Sequence, residues 1–461
     1  MFMENSIHQS SYSPSLLRIG VIVLLALTPT AFIHSIAFSQ TTSFYLPQDV
    51  RALAATALKN NQALQSRKDT VEALKAEIPL AGSLENPQLS LGLANLPVDT
   101  FDFDQEPMTQ KQIYISQKIP WFGKLSLAEK IATLNASQQE FIFESNQLRV
   151  IREISQTWYE LGFIRYNLSI IASLEEIIQQ TLKIAETKYY TGKGLQQDIL
   201  TAQVRLSGLI DERISLEGKR QQYESDMAEL LNSDDHFNSS STQYESIAIP
   251  SLPPRNELID KALSQNPDFT ALLISREIAA HRVALAEKDY GTDMNFRLGY
   301  GQREEDPVSG NDRADFFSAT VSFSLPVWQS TRQDSALEAM EKRNRAAEKN
   351  ILSFRKTLPH RVDGLLAEIS TAIETHMLFK NALILQAEQL AESSLAAYSV
   401  GKLDFNTMLN ARVQTLRYRI QAEKFRLQAF KKIAVLYELM GEPVSLLTSS
   451  DRVTATGEKE Q

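Results

Sequence analysis

Apolar and polar residues alternate in four short stretches of this chain and follow a three-four spacing over most of the remainder. Leu89, Leu91 and Leu93 alternate with Gln88, Ser90 and Gly92, and Ile113, Ile115 and Ile119 alternate with Gln112, Tyr114, Ser116 and Lys118. A period of two predicts strands over 87–95 and 111–119. Met294, Phe296, Leu298 and Tyr300 against Asn295, Arg297 and Gly299 predict a third strand over 293–302. Phe317, Ala319, Val321, Phe323 and Leu325 against Ser318, Thr320, Ser322 and Ser324 predict a fourth over 314–325. Helical spacing takes over between these pairs. After Pro120 no proline occurs before Pro250, and Ile151, Ile154, Trp158, Leu161 and Leu168 mark a seam of coiled-coil type. A helical hairpin is expected over 124–231, its outgoing arm spanning roughly 100 Å at 1.5 Å per residue. A second hairpin is expected over 333–440, with Pro359 kinking its outgoing arm. Leu53, Ala57, Leu64, Val71 and Leu74 predict a leading helix over 49–82, ended by Pro79 and Gly82.

These elements occur twice. The stretch at Leu89 to Leu93, the run ending in Ile119-Pro120 and the turn Tyr189-Tyr190-Thr191-Gly192-Lys193 return about two hundred residues later. Their counterparts are Phe296 to Tyr300, Leu325-Pro326 and Tyr398-Ser399-Val400-Gly401-Lys402. The period is too long for a stacked solenoid, so the chain reads as a duplication, with repeats over 40–245 and 246–445. A Ser- and Pro-rich connector over 232–256 joins them, with room for one short strand at 246–249, and a polar tail follows over 446–461.

The strands and helices ask for different solvents. Four strands in two distant hairpins cannot cover their own edges unless they close with strands of other chains. Segments of about ten residues, apolar on one face and polar on the other, carry the signature of a membrane barrel wall. A half-buried sheet of a soluble fold has the same periodicity, and that alternative stays open. The acidic loops over 94–110 and 301–315 read as water-exposed caps on the outer side.

Composition narrows the chemistry. A net charge of −9 without a basic block argues against nucleic acid as a partner. With no cysteine among 461 residues, disulfides, thiolate metal sites, cysteine nucleophiles and a lipidated cysteine anchor are all excluded. Arg18 followed by the apolar run from Ile19 to Leu27, with Ala37 and Ser39 before Gln40, reads as an export signal over 1–39. His236, His281, His360 and His376 lack ligand spacing and are expected at the surface. No metal or cofactor site is expected, and no catalytic group stands out.

The export signal, the duplicated strand and helix pairs, the string Ser116-Gln117-Lys118-Ile119-Pro120-Trp121-Phe122-Gly123-Lys124 and the Tyr-x-x-Gly-Lys turns together resemble the TolC-type outer-membrane efflux factors. The string is most similar to the CzcC/CusC-like heavy-metal branch. The resemblance implies a mainly α fold with a small membrane β part: a homotrimer in which each chain gives four strands to one twelve-stranded outer-membrane β-barrel, continued by a periplasmic α-barrel of long helical hairpins. It implies a passive channel that works with a periplasmic adaptor protein and an inner-membrane transporter of the resistance-nodulation-division class, in contact with outer-membrane lipid and needing no cofactor.

The resemblance also points to residues. Gly192, Lys193, Gly401 and Lys402 would form the periplasmic tips, and Asp198 and Tyr398 keep residue types able to hydrogen-bond across them. Asn406, Thr407 and Asn410 would line the gate. The pattern is not kept throughout: Leu403 replaces a gate arginine of the best-known relative, and Thr407 and Asn410 replace acidic residues, so a neutral, weakly cation-selective constriction is expected there. Pro120, Gly123 and Pro326 would mark the strand-to-helix junctions. The cargo implied is metal cations or small toxic compounds. A conduit for type I protein secretion is the alternative within this class, and an exported coiled-coil scaffold or adaptor the alternative outside it.

Overall fold

The computed structural model describes residues 46–238 and 247–441. The expected export signal, the C-terminal tail and the start of the possible connector strand, Ser246, lie outside them. Four strands, β1 (Gln88–Ala94), β2 (Gln110–Ile119), β3 (Met294–Gln302) and β4 (Phe316–Phe323), form one antiparallel sheet in the order β1-β2-β3-β4. The two distant pairs are thus joined through β2 and β3, with Tyr114 opposite Gly299 and Ser116 opposite Arg297. The register keeps the apolar positions on one face, where Leu91, Ile115, Leu298 and Phe317 are all exposed. Each such side chain left in water forfeits about 2 kcal/mol of burial, so this face calls for a lipid solvent.

Nine α-helices are described: α1 (Gln48–Asn60), α2 (Gln62–Gly82), α3 (Lys124–Tyr190), α4 (Gln196–Leu231), α5 (Arg255–Gln265), α6 (Pro267–Lys288), α7 (Gln333–Leu378), α8 (Ile384–Ser399) and α9 (Phe405–Met440). The expected seam of α3 is its buried stripe, with Ile154, Trp158 and Leu161 sealed, and it continues through Ile171, Leu174 and Ile178. That stripe finds its partners in both halves. Met227 and Leu231 of α4 and Leu427 and Phe430 of α9 share one cluster with it. Phe405, Met408 and Leu409 share the next.

Several expectations need correction. The helix expected over 49–82 is two helices, broken at Asn61, whose extended backbone (φ −65°, ψ 110°) lets its side chain accept from the Leu64 N–H. Pro79 lies inside α2 and does not end it. The second half repeats the device at Asn266 between α5 and α6, a helical pair the sequence reading missed. Asn266-Pro267, an N-cap followed by proline at the first helical position, was its available signal. Pro359 lies within α7, whose helix runs on through it, and a π-helical turn follows at Phe379–Leu383. His376 is buried rather than superficial, its Nδ1 2.8 Å from the Ala422 carbonyl oxygen. In the connector, residues 247–249 are not in a strand. Ile247 and Ile249 pack on the core instead.

Candidate functional site

The tips of the two hairpins are built alike. At the end of α3 the Gly192 N–H donates to the Tyr189 carbonyl (2.9 Å) and the Lys193 N–H to that of Lys188 (2.8 Å). At the end of α8 the Gly401 N–H donates to the Tyr398 carbonyl (3.1 Å) and the Lys402 N–H to that of Ala397 (2.9 Å). Both are Schellman closures, and both place glycine in the left-handed region, at φ +72° and +76°. The return helices start differently. Asp404 caps α9, accepting from the Thr407 N–H (2.9 Å) and hydroxyl (2.6 Å), and these bonds hold its carboxyl below the usual range. Leu195 before α4 offers no side-chain cap, and the acid of that turn is Asp198.

Tyr398 is the one buried member of the expected gate set, packed edge-to-face on Phe405 with centroids 5.9 Å apart. Asp198 is half-buried and near enough for its charge, after burial itself, to raise the Tyr398 hydroxyl pKa. The expected hydrogen bond between them is absent among the described residues. The partner that reaches the tyrosine is Lys188, whose Nζ lies 3.6 Å from the ring centroid and 3.5 Å from the Tyr398 carbonyl oxygen. Thr407 is engaged by Asp404, and Asn410 accepts from Arg205 Nη2 at 3.3 Å. Asn406 is half-buried, while Gly192, Lys193, Gly401 and Lys402 are exposed. The sequence reading missed Lys188 and Asp404. An aspartate three residues before a threonine at a helix start was a readable signal for the second.

The junction between sheet and helices is a charged knot. After Pro120, the Trp121 N–H donates to Asp293 Oδ1 (2.7 Å), and Gly123, at φ +86°, opens α3. Lys124 Nζ then sits between Asp289 (2.9 Å) and Asp293 (3.0 Å). Burial pushes the Asp293 carboxyl up, but the Trp121 N–H and the Lys124 charge outweigh it and leave it below its ordinary value. The Trp121 ring lies against Gly291, where any Cβ would collide with it. Pro326 turns the chain after β4, and beyond it Trp328 is exposed, as is Phe122 in the first copy. Exposed aromatics at the end of a lipid-facing sheet suit the membrane interface.

Comparison with known proteins is consistent with these features. The family model "Outer membrane efflux protein" matches residues 53–233 and 258–442. The outer membrane protein TolC of Vibrio cholerae is 19% identical over 299 residues, covering 64% of this chain and 67% of that protein. The solved structure of CusC superposes with a TM-score of 0.73 at 16% identity, over 87% of this chain and 93% of its own. A membrane protein from Pseudomonas aeruginosa gives a TM-score of 0.75 at 16% identity, over 87% and 92%.

Proposed function

The chain belongs to the outer membrane efflux protein family, the outer-membrane channels of tripartite efflux systems, and we propose that three copies of it join their sheets into one twelve-stranded pore. It is a passive channel and not an enzyme, located in the outer membrane and reaching across the periplasm. The observation that carries the trimer reading is the open sheet. Among the described residues the outer edges of β1 and β4 have no strand partner, and one sheet face exposes leucine, isoleucine and phenylalanine together. An open edge in hydrocarbon is untenable because its backbone groups find no water.

The partners that fit are a periplasmic adaptor and an inner-membrane pump of the resistance-nodulation-division class, meeting the channel at the Gly192 and Gly401 turns. The cargo falls among metal ions and small toxic compounds. The likeness to CusC and the string from Ser116 to Lys124 support a metal. The tips close the resting tube, and the Lys188–Tyr398 contact is what supports their closure in this chain. The test is fractionation and cross-linking of the mature protein, followed by sensitivity of a deletion strain to metals, detergents and antibiotics. An outer-membrane trimer whose loss sensitises the cell to such compounds is expected. A water-soluble folded monomer would overturn the reading, and loss of a secreted protein alone would replace efflux by secretion.

A further inference from the structure

The polar face of the sheet carries an unbalanced charge. On the register above, that face holds Lys118 and Arg297 and no carboxylate. Lys118 is neutralised at the inner end, where its Nζ lies 3.3 Å from Glu85 Oε1. At the outer mouth Glu304 is engaged with Lys111, Asp306 with Arg313 and Asp315 with Tyr300, while Asp102, Asp104, Glu305 and Asp312, without an ion pair among the described residues, lie in the loops beyond the strands and not on the wall. Arg297 has no carboxylate partner among the described residues. It lies in the middle of β3, between Ser116 and Thr320 on its two neighbours.

Its position is built. The guanidinium carbon lies 3.8 Å from the centroid of the Tyr114 ring, and that ring occupies the space above the opposite residue, Gly299, where a Cβ would run into it. Glycine, tyrosine and arginine thus form one stack that holds the charge against the wall instead of letting it swing. In a membrane barrel the polar face is the lumen.

We infer that Arg297 makes the barrel segment favour anionic over cationic solutes, three copies forming a ring of uncompensated guanidinium groups. This rests on the channel reading above. Twelve strands about 4.8 Å apart and tilted about 40° enclose a bore of radius near 12 Å. The guanidinium groups stand inside that wall, so the axis lies within about one Debye length, ~10 Å at 0.1 M salt. Solutes crossing the middle of the wall therefore feel the ring. A metal passes it more readily as an oxyanion or anionic complex than as a bare divalent cation.

The test is the reversal potential of the purified trimer in planar bilayers under a potassium chloride gradient at about 0.1 M salt. Arg297→Gln is expected to lower the chloride-to-potassium permeability ratio roughly two- to fivefold, with Arg297→Lys near wild type. Thr320→Glu, which sets a carboxylate beside the guanidinium without touching the stack, is expected to lower the ratio in the same direction. A conducting trimer whose ratio is the same in wild type, Arg297→Gln and Thr320→Glu overturns the inference and leaves the channel reading intact. A wild-type protein that forms no pore overturns the channel reading and this inference with it.

Discussion

Lys188 and Tyr398 stand 210 positions apart in the chain and meet at the ends of two different hairpins, the lysine Nζ 3.6 Å from the ring centroid. The last turn of α3 is thereby tied to the last turn of α8 through a ring face. A cation on an aromatic face contributes about 0.5–2 kcal/mol, or roughly two- to thirtyfold in a closed-to-open ratio. Lys188→Met and Tyr398→Leu are therefore expected to raise resting single-channel conductance in planar bilayers. Tyr398→Phe keeps the ring and removes only a hydroxyl that makes no hydrogen bond to Asp198, so its conductance should match wild type. A rise in Tyr398→Phe as large as in Tyr398→Leu would move the tie back to the hydroxyl.

Asn61 and Asn266 each do two things with one side chain. Asn61 Oδ1 accepts from the Leu64 N–H at 3.1 Å while its Nδ2 donates to the Leu230 carbonyl at 3.2 Å. Asn266 does the same with Phe269 (2.9 Å) and Leu439 (2.8 Å). Each caps a helix and ties it to the end of a return helix. Asn266→Ala should destabilise the start of α6 by about 1–2 kcal/mol, read as faster amide exchange at Phe269 and Thr270. Asn266→Asp keeps the acceptor and loses the donor, so the cap should survive while the Leu439 tie fails. Equally fast exchange in both variants would show that the Leu439 tie, which both lose, and not the cap, holds the start of α6.

What the sequence revealed and what it hid divide along physical lines. The strands were legible because Leu89, Leu91 and Leu93 answer to one solvent and Ser90 and Gly92 to another, a contrast written directly into alternation. The α3 seam was legible for the same reason. Asn61 was not, because its capping side chain interrupts a helical pattern without changing its apolar spacing. Lys188 was hidden because a lysine near a helix end is ordinarily solvated, and only the fold brings Tyr398 beneath it. The burial of His376 is hidden from the sequence because the Ala422 carbonyl that its ring meets lies on a different helix, α9.

Gly192 and Gly194, two residues apart in one turn, answer to different constraints. Gly192 needs its positive φ but has open space around it, so Gly192→Ala should cost about 1 kcal/mol through backbone conformation alone. At Gly194 the φ is unremarkable, yet a Cβ would lie 2.9 Å from the Lys188 Cβ and from the Tyr189 backbone nitrogen. That nitrogen is fixed by the helix and cannot yield. Gly194→Ala is expected to loosen the tip more than Gly192→Ala, seen as faster tryptic cleavage after the exposed Lys193. Equal cleavage rates would mean that the turn has slack which the close approach conceals.

The Lys124–Asp293 knot makes the sheet-to-helix junction sensitive to acid. Asp293 titrates below its ordinary value of 3.8, since hydrogen bonds from Trp121 and Lys124 outweigh the opposing effect of burial. A carboxyl lowered on folding contributes stability that is present above its unfolded pKa and is lost as pH falls through the folded one. Lys124 works the other way: burial pulls its pKa down, but Asp289 and Asp293 leave it above 10.5, so its contribution persists until strongly alkaline pH. Between these limits the junction should be indifferent to pH. The direct reporter is the Trp121 amide, which donates to Asp293 at 2.7 Å. Its hydrogen-exchange protection, corrected for intrinsic rate, should stay level through neutral and mildly acidic pH and collapse only below about 3.8. In Asp293→Asn the acid collapse should vanish and the protection at neutral pH should be lower than in wild type, because the asparagine accepts from Trp121 without a charge to hold Lys124. Protection that falls off equally in wild type and Asp293→Asn would place the acid sensitivity on another carboxylate and remove the knot from the account of the junction.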